Sequence, residues 1–229
     1  MVMKMEWNKV IYEDCLNEIN GLPTLPDKCV DICVYDPPYN AKKDYGIYKD
    51  NLSLIDYISF MKKVIYECNR ISKRGIGVYI DSWRFKMFWQ KIFQDSTPII
   101  LKKRCHTFSN KINILTKYHV ILTNIIALKR EWDVWDITVI TDGYICKEKR
   151  YDHPSQTGSE PIIKFLETFT KKNDIVCDPF IGSGTIPVCC KKMNRRWIGY
   201  EINEIYSQDI NKRLKQINRT KSGLYHWLK

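Results

Sequence analysis

Apolar positions along this chain fall into two alternating patterns. Short dense runs occur at Lys9–Glu13, Val30–Tyr35, Ile76–Asp81, Pro98–Lys102, Tyr118–Leu128, Asp174–Cys177 and Arg196–Glu201. Runs of this kind predict strands buried on both faces of a parallel sheet. Between most of them the spacing lengthens to three and four residues. Leu54, Ile58, Met61, Ile65 and Cys68 share one helical face, with Lys62, Lys63 and Glu67 on others. Ile162, Phe165, Leu166 and Phe169 repeat that spacing, as do Ile205, Ile210, Leu214 and Ile217. Strands alternating with helices predict an α/β fold, a doubly wound, mainly parallel sheet of about seven strands. The stretch ending Trp83–Trp89 reads as helical core packing with a basic rim. Residues 40–50 and 130–151 resist the scheme. They are polar, aromatic and basic, and read as surface loops with a function.

Composition narrows the class. A chain of 229 residues suits one large α/β domain over its whole length rather than two. A formal charge of +11 points to a polyanionic partner, nucleic acid before membrane. The nine cysteines are odd in number, several lie in apolar runs, and no C-x-x-C pair occurs. Reduced, buried thiols are therefore expected, with neither disulfides nor a metal site. The start lacks an apolar signal core and no stretch approaches a membrane span. A soluble, cytoplasmic protein without membrane contact is the expectation.

Two segments carry chemistry. Asp36-Pro37-Pro38-Tyr39 follows the second apolar run directly, and so sits at the carboxyl end of a predicted strand. That edge of an open α/β sheet is where ligands bind. Two prolines fix φ and remove two N–H donors, leaving carbonyls without a local partner. A rigid turn presenting a carboxylate, carbonyls and an aromatic ring suits an amino group as guest. The second segment is Asp178-Pro179-Phe180-Ile181-Gly182-Ser183-Gly184-Thr185, between a predicted strand and the helix-like Ile186–Lys192. Close backbone approach to a ligand requires Gly182 and Gly184 there. About twenty residues on, a further strand ends in Glu201, with Asn203 beyond it; an acid at that offset typically binds ribose hydroxyls. The glycine turn lacks the full G-x-G-x-x-G and nothing resembles a Walker lysine, so a nucleoside site is favoured over a dinucleotide or triphosphate site.

Together these residues resemble the amino-methylating DNA methyltransferases that use S-adenosylmethionine. Asp36–Tyr39 matches the D-P-P-Y catalytic motif and Asp178–Thr185 the D-P-F-x-G-S-G-T cofactor motif. His153-Pro154-Ser155-Gln156 is similar to H-P-T-Q, and Tyr12-Glu13-Asp14-Cys15-Leu16 to G-D-C-L. The catalytic motif precedes the cofactor motif, the circularly permuted order of the β group. The resemblance spans nearly the whole chain. It implies that Phe180, Gly182 and Gly184 pack on the cofactor, with Asp178, Pro179, Ser183 and Thr185 forming the rest of its loop. Glu201 would bind the ribose, Asp14 the adenine amino group, and His153, Ser155 and Gln156 the methionine or carboxylate end, with Asp36 and Asn203 also among the cofactor-binding residues. The family commonly continues H-P-T-Q with lysine and proline, whereas Thr157-Gly158 follow here, and Glu13 replaces the usual glycine before Asp14.

The implied reaction is methyl transfer to the exocyclic nitrogen of a base extruded from duplex DNA. Tyr39 would stack on that base, while Asp36 and the Pro37 carbonyl accept its amino hydrogens. Cytosine-specific members more often carry serine where Asp36 stands, so adenine N6 is expected, with cytosine N4 as the alternative. DNA-contact candidates are Lys42, Lys43, Tyr45 and Lys49 in a lid after the catalytic turn, and Arg104, Asn110, Lys111 and Lys117 further on. Target-recognition loops are expected within 40–51 and 103–151, Lys147, Lys149 and Arg150 included. A homodimer is compatible with the resemblance. Rival readings are an RNA amino-methyltransferase, a protein glutamine methyltransferase, and an inactive binding partner with this fold.

Overall fold

The computed structural model describes residues 5–81, 88–108, 115–137, 151 and 153–217. Strand β1 (Lys9–Ile11) is followed by β2 (Ile32–Tyr35), which ends where Pro37 and Pro38 withdraw two N–H donors from the ladder. A short hairpin, β3 (Asp44–Tyr45) and β4 (Tyr48–Lys49), leads to helix α1 (Leu54–Ile71). Ser53 caps α1 by accepting from the Asp56 N–H at 3.2 Å and donating to the Asp56 carboxylate at 2.7 Å. Then come β5 (Ile76–Asp81), the single turn α2 (Gln90–Ile92), β6 (Thr97–Phe108), β7 (Leu115–Thr123) and β8 (Val134–Ile137). The chain continues through α3 (Ser159–Phe169), β9 (Ile175–Asp178), α4 (Thr185–Lys192), β10 (Arg196–Tyr200) and α5 (Ser207–Ile217).

The main sheet has eight strands in the order β1-β10-β9-β2-β5-β7-β6-β8, one more than the apolar runs predict. The addition, β8, lies inside the stretch expected to be a loop. Its burial alternates, with Val134 exposed and Trp135 and Ile137 buried, so it shows no apolar run. The predicted strand at Pro98–Lys102 extends to Phe108, and that at Tyr118–Leu128 covers Leu115–Thr123 instead. Part of the 103–151 stretch expected to hold recognition loops is thus a long antiparallel ladder. Among the described strands of the main sheet, only β7 runs against the others.

Alternate residues of each central strand feed two cores. Cys33 and Tyr35 pack with Tyr57, Met61 and Cys68 of α1 on one face. Ile32 and Val34 pack with Phe165, Leu166, Cys189 and Ile210 of α3, α4 and α5 on the other. Leu54 and Ile205, assigned by spacing to the core faces, are exposed instead, at the start of α1 and in the turn before α5. Trp89, from the stretch expected in the core, is fully buried. From β2 the sheet grows one way through β5, and from β9 the other way through β10. The gap between the carboxyl ends of β2 and β9 is therefore the topological switch point, where open α/β sheets bind ligands.

Candidate active site

Both motif turns leave the sheet at that switch point. Asp36, Pro37 and Pro38 after β2, and Pro179, Phe180 and Gly182 after β9, line one cavity of about 280 Å³. Asp14, Tyr45, His153, Ser155 and Glu201 complete its wall among others. Phe180 is held edge-on by Tyr35 and Phe60, with ring centroids 5.8 and 6.1 Å away.

The glycine turn is built as its sequence requires. Gly182 and Gly184 have φ of +50° and +82°, the left-handed region that glycine enters without cost. A Cβ on Gly182 would lie 2.9 Å from His153 Nε2. Glu201 braces the turn: one carboxylate oxygen accepts the Gly182 N–H at 2.8 Å, the other the Asn203 N–H at 2.9 Å. Burial raises the Glu201 pKa, and these two N–H donors oppose the rise. Asp178 lies fully beneath the floor, where its carboxylate accepts the Phe180 N–H at 3.0 Å. Burial raises its pKa strongly, helped by the charges of Glu201 and Asp36. Arg213 of α5 fastens the far side of the turn, donating to the Ser183 carbonyl at 2.5 Å, the Ser183 hydroxyl at 3.0 Å and Thr185 Oγ1 at 3.2 Å. Sequence reasoning missed Arg213; its signal is a charge three residues after Ile210 on the apolar face of α5.

The Asp36–Tyr39 turn is equally constrained. The Pro38 carbonyl, without a local partner as expected, accepts the Tyr57 hydroxyl at 2.8 Å, which fastens the turn to α1. The Tyr39 hydroxyl donates to one oxygen of Asp36 and lies 3.0 Å from the Tyr79 carbonyl. Thr157 donates its hydroxyl to the other Asp36 oxygen. The residue at the departure from H-P-T-Q-K-P thus reaches the Asp36 carboxylate.

Residues 40–50 are a tied hairpin. Asp50, only 1% exposed, accepts the N–H groups of Asn40, Ala41 and Lys43 at 2.7, 2.8 and 3.3 Å. The Asn203 amide donates to the Tyr45 carbonyl at 2.8 Å, and Lys43 Nζ donates to the Pro154 carbonyl at 3.2 Å. Tyr45, expected against DNA, is part of the cavity wall with Tyr48. Lys42 and Lys49 are exposed. Asp14 lines the cavity, with its carboxylate also accepting the Leu16 N–H at 2.9 Å. Gln156 stands behind the wall, accepting the Tyr151 N–H at 2.9 Å. Arg104 and Lys117 fall on β6 and β7. Asn110, Lys111, Lys147, Lys149 and Arg150 lie outside the described residues.

A methyl-donor nucleoside fits this cavity. Its wall carries four carboxylates, from Glu13, Asp14, Asp36 and Glu201, and no Lys or Arg among the described residues. That balance favours a ligand bearing a sulfonium charge. Phe60, Phe180, Tyr45 and Tyr48 supply apolar faces, and the buried Tyr48 and Tyr200 hydroxyls have no hydrogen-bond partner among the described residues.

Comparison with known families decides the affiliation. The DNA methylase family of N6- and N4-directed enzymes matches residues 30–121 and 127–212. The chain belongs to this N6/N4 DNA methylase family. It is 28% identical to the type II methyltransferase M.HpaI of Haemophilus parainfluenzae, over 87% of this chain and 73% of that enzyme. It is 24% identical to M.HinfI of Haemophilus influenzae, over 92% and 69% of the two chains. Among solved structures, the M1.HpyAVI–SAM complex superposes with a TM-score of 0.65 at 20% identity, covering 90% of this chain and 98% of that one. The cytosine-N4-specific PvuII DNA methyltransferase gives 0.69 at 15% identity, covering 92% and 90%. These likenesses establish the methyltransferase fold. Among the described residues no helix is long and apolar enough to cross a membrane.

Proposed function

We propose that this DNA methylase transfers a methyl group to the exocyclic N6 of adenine at a specific sequence in duplex DNA, after extrusion of the base. The observation that carries this reading is the convergence of the Asp36–Tyr39 turn and the Gly182–Glu201 brace on one cavity. The methyl donor is S-adenosylmethionine, which supplies an electrophilic sulfonium methyl. Glu201, Asp14, Phe180 and the Gly182 backbone bind it, with His153 and Ser155 at the methionine end. The order of the two turns along the chain supports a circularly permuted, β-group arrangement.

Asp36 and the Pro37 carbonyl accept the two amino hydrogens of the extruded base. Holding both out of the ring plane turns the nitrogen lone pair toward the methyl group. In the base-free protein the Tyr39 hydroxyl occupies one Asp36 oxygen, so the incoming amino group replaces it there and the Tyr39 ring stacks on the base. Such stacking typically contributes about 1–3 kcal/mol. Extrusion is needed because the amino nitrogen inside the stack cannot meet an in-line donor. Lys42 and Lys49, exposed on the hairpin after the Asp36–Tyr39 turn, serve phosphate contacts, with Arg104 of β6 and Lys117 of β7 as further candidates.

Cytosine N4 is the second reading, favoured by the fold likeness to the N4-specific PvuII enzyme. The presence of aspartate at position 36 supports adenine. Incubation with labelled S-adenosylmethionine and duplex DNA, followed by nucleoside analysis, separates them. N6-methyladenine made by the wild type and lost in Asp36→Ala is the expected result. N4-methylcytosine would overturn the adenine assignment; label in RNA or protein alone would overturn the whole reading.

A further inference from the structure

The Asp36 carboxylate sits between two hydroxyl donors, Tyr39 on one oxygen and Thr157 on the other. They differ in what anchors them. Tyr39 belongs to the same turn as Asp36 and gives up its contact when an amino group arrives. Thr157 comes from the distant segment before α3, and its backbone carbonyl accepts Thr185 Oγ1 at 2.9 Å. Thr185 is the first residue of α4, and its hydroxyl oxygen also accepts from Arg213 at 3.2 Å. A continuous chain therefore runs from the end of the glycine turn through Thr157 to the oxygen of Asp36 that the substrate does not need.

We infer that Thr157 is the positioning residue of the catalytic carboxylate, setting its plane relative to the methyl donor. This rests on Asp36 being the amino-group acceptor proposed above. The physical need is specific. The terminal torsion of an aspartate is broad and roughly two-fold, so an untethered carboxylate samples many planes. Threonine is β-branched and stiff at χ1, so a hydroxyl on this backbone holds a defined direction. Its single proton satisfies one Asp36 oxygen and leaves the other toward the cavity. Thr157 also stands where related segments carry lysine. A neutral donor there holds the carboxylate without placing a second cation beside the cationic methyl group.

Because a positioning residue acts in the reactive geometry, its loss lowers kcat rather than cofactor affinity. Misplacement by about 1 Å near the reacting atoms costs up to about a hundredfold. Thr157→Val keeps the shape and removes the donor. Its kcat should fall about 10- to 100-fold with the S-adenosylmethionine Kd, measured by calorimetry, within about threefold of wild type. Thr157→Ser restores the donor and should recover most of kcat. Should T157V lose the folded state, T157A carries the same comparison. Wild-type kcat in T157V, a defect confined to cofactor affinity, or no recovery in a folded T157S would each overturn the inference. Asp36→Ala in the same assay keeps the two claims apart. An active D36A refutes the underlying reading of Asp36. An inactive D36A beside a fully active T157V refutes only the role of Thr157.

Discussion

Acidification should unfasten the cofactor cavity through one imidazole. His153 packs against Tyr45 and edge-on against Tyr206, with ring centroids 5.8 and 4.7 Å apart, and it lies over the Gly182 backbone. Its Nδ1 accepts the Ser155 N–H at 3.2 Å, so a proton on Nδ1 would face another donor. Burial is the main reason its pKa falls from 6.5 to about 4, and Lys43 and Arg213 push the same way. The unfolded chain takes up this proton near pH 6.5, the folded one only near pH 4. Between those values the unfolded state binds more protons, so stability falls as the pH falls through that window. At about 1.4 kcal/mol per pH unit, the difference between 6.5 and about 4 is at most about 3.5 kcal/mol, less what partial exposure screens. The assay is urea unfolding of wild type and His153→Gln from about pH 7.5 to about pH 4. Carboxylates titrate in both proteins, so the difference between the two curves isolates the imidazole. The stability advantage of the wild type should shrink by about 2–3 kcal/mol across the window. Parallel curves would refute the reasoning.

Two further substitutions test the scaffold of the site. Gly182→Ala puts a Cβ on a residue at φ +50° and 2.9 Å from His153 Nε2, so it should cost about 1–2 kcal/mol of stability and weaken S-adenosylmethionine binding at least about tenfold. Thermal unfolding and calorimetry check it, and wild-type values in both would show that the turn tolerates a side chain. Asp50→Ala removes the acceptor of three backbone N–H groups, each such bond to a charged group contributing about 1.5–3 kcal/mol. Since the hairpin carries Tyr45 and Tyr48, the expected results are faster proteolysis within 40–50 and about tenfold weaker cofactor binding. An unchanged cleavage pattern with unchanged affinity would refute the anchoring role.

Local features were legible where their cause is local. The helices α1, α3 and α5 follow from spacing, and the parallel strands from apolar runs that need both faces covered. The two motif turns could be read because prolines and left-handed glycines constrain the backbone whatever surrounds them. The eighth strand was not legible: at an edge, with alternate residues exposed, four residues such as Val134–Ile137 differ little from loop. Nor was the hairpin legible, since the buried carboxylate of Asp50 organises it and no hydrophobic period does.

By itself, then, the sequence determined the order of strands and helices, the two turns at strand ends and the acid that follows the second, because periodicity and backbone restriction act within a few residues. Only the tertiary structure decided which side chains meet. It brought Thr157 onto Asp36, Arg213 onto the glycine turn, and Tyr45 into the cavity wall beside His153. Those contacts join residues far apart in the chain. They depend on strand order and side-chain direction at the switch point, and residue spacing carries neither.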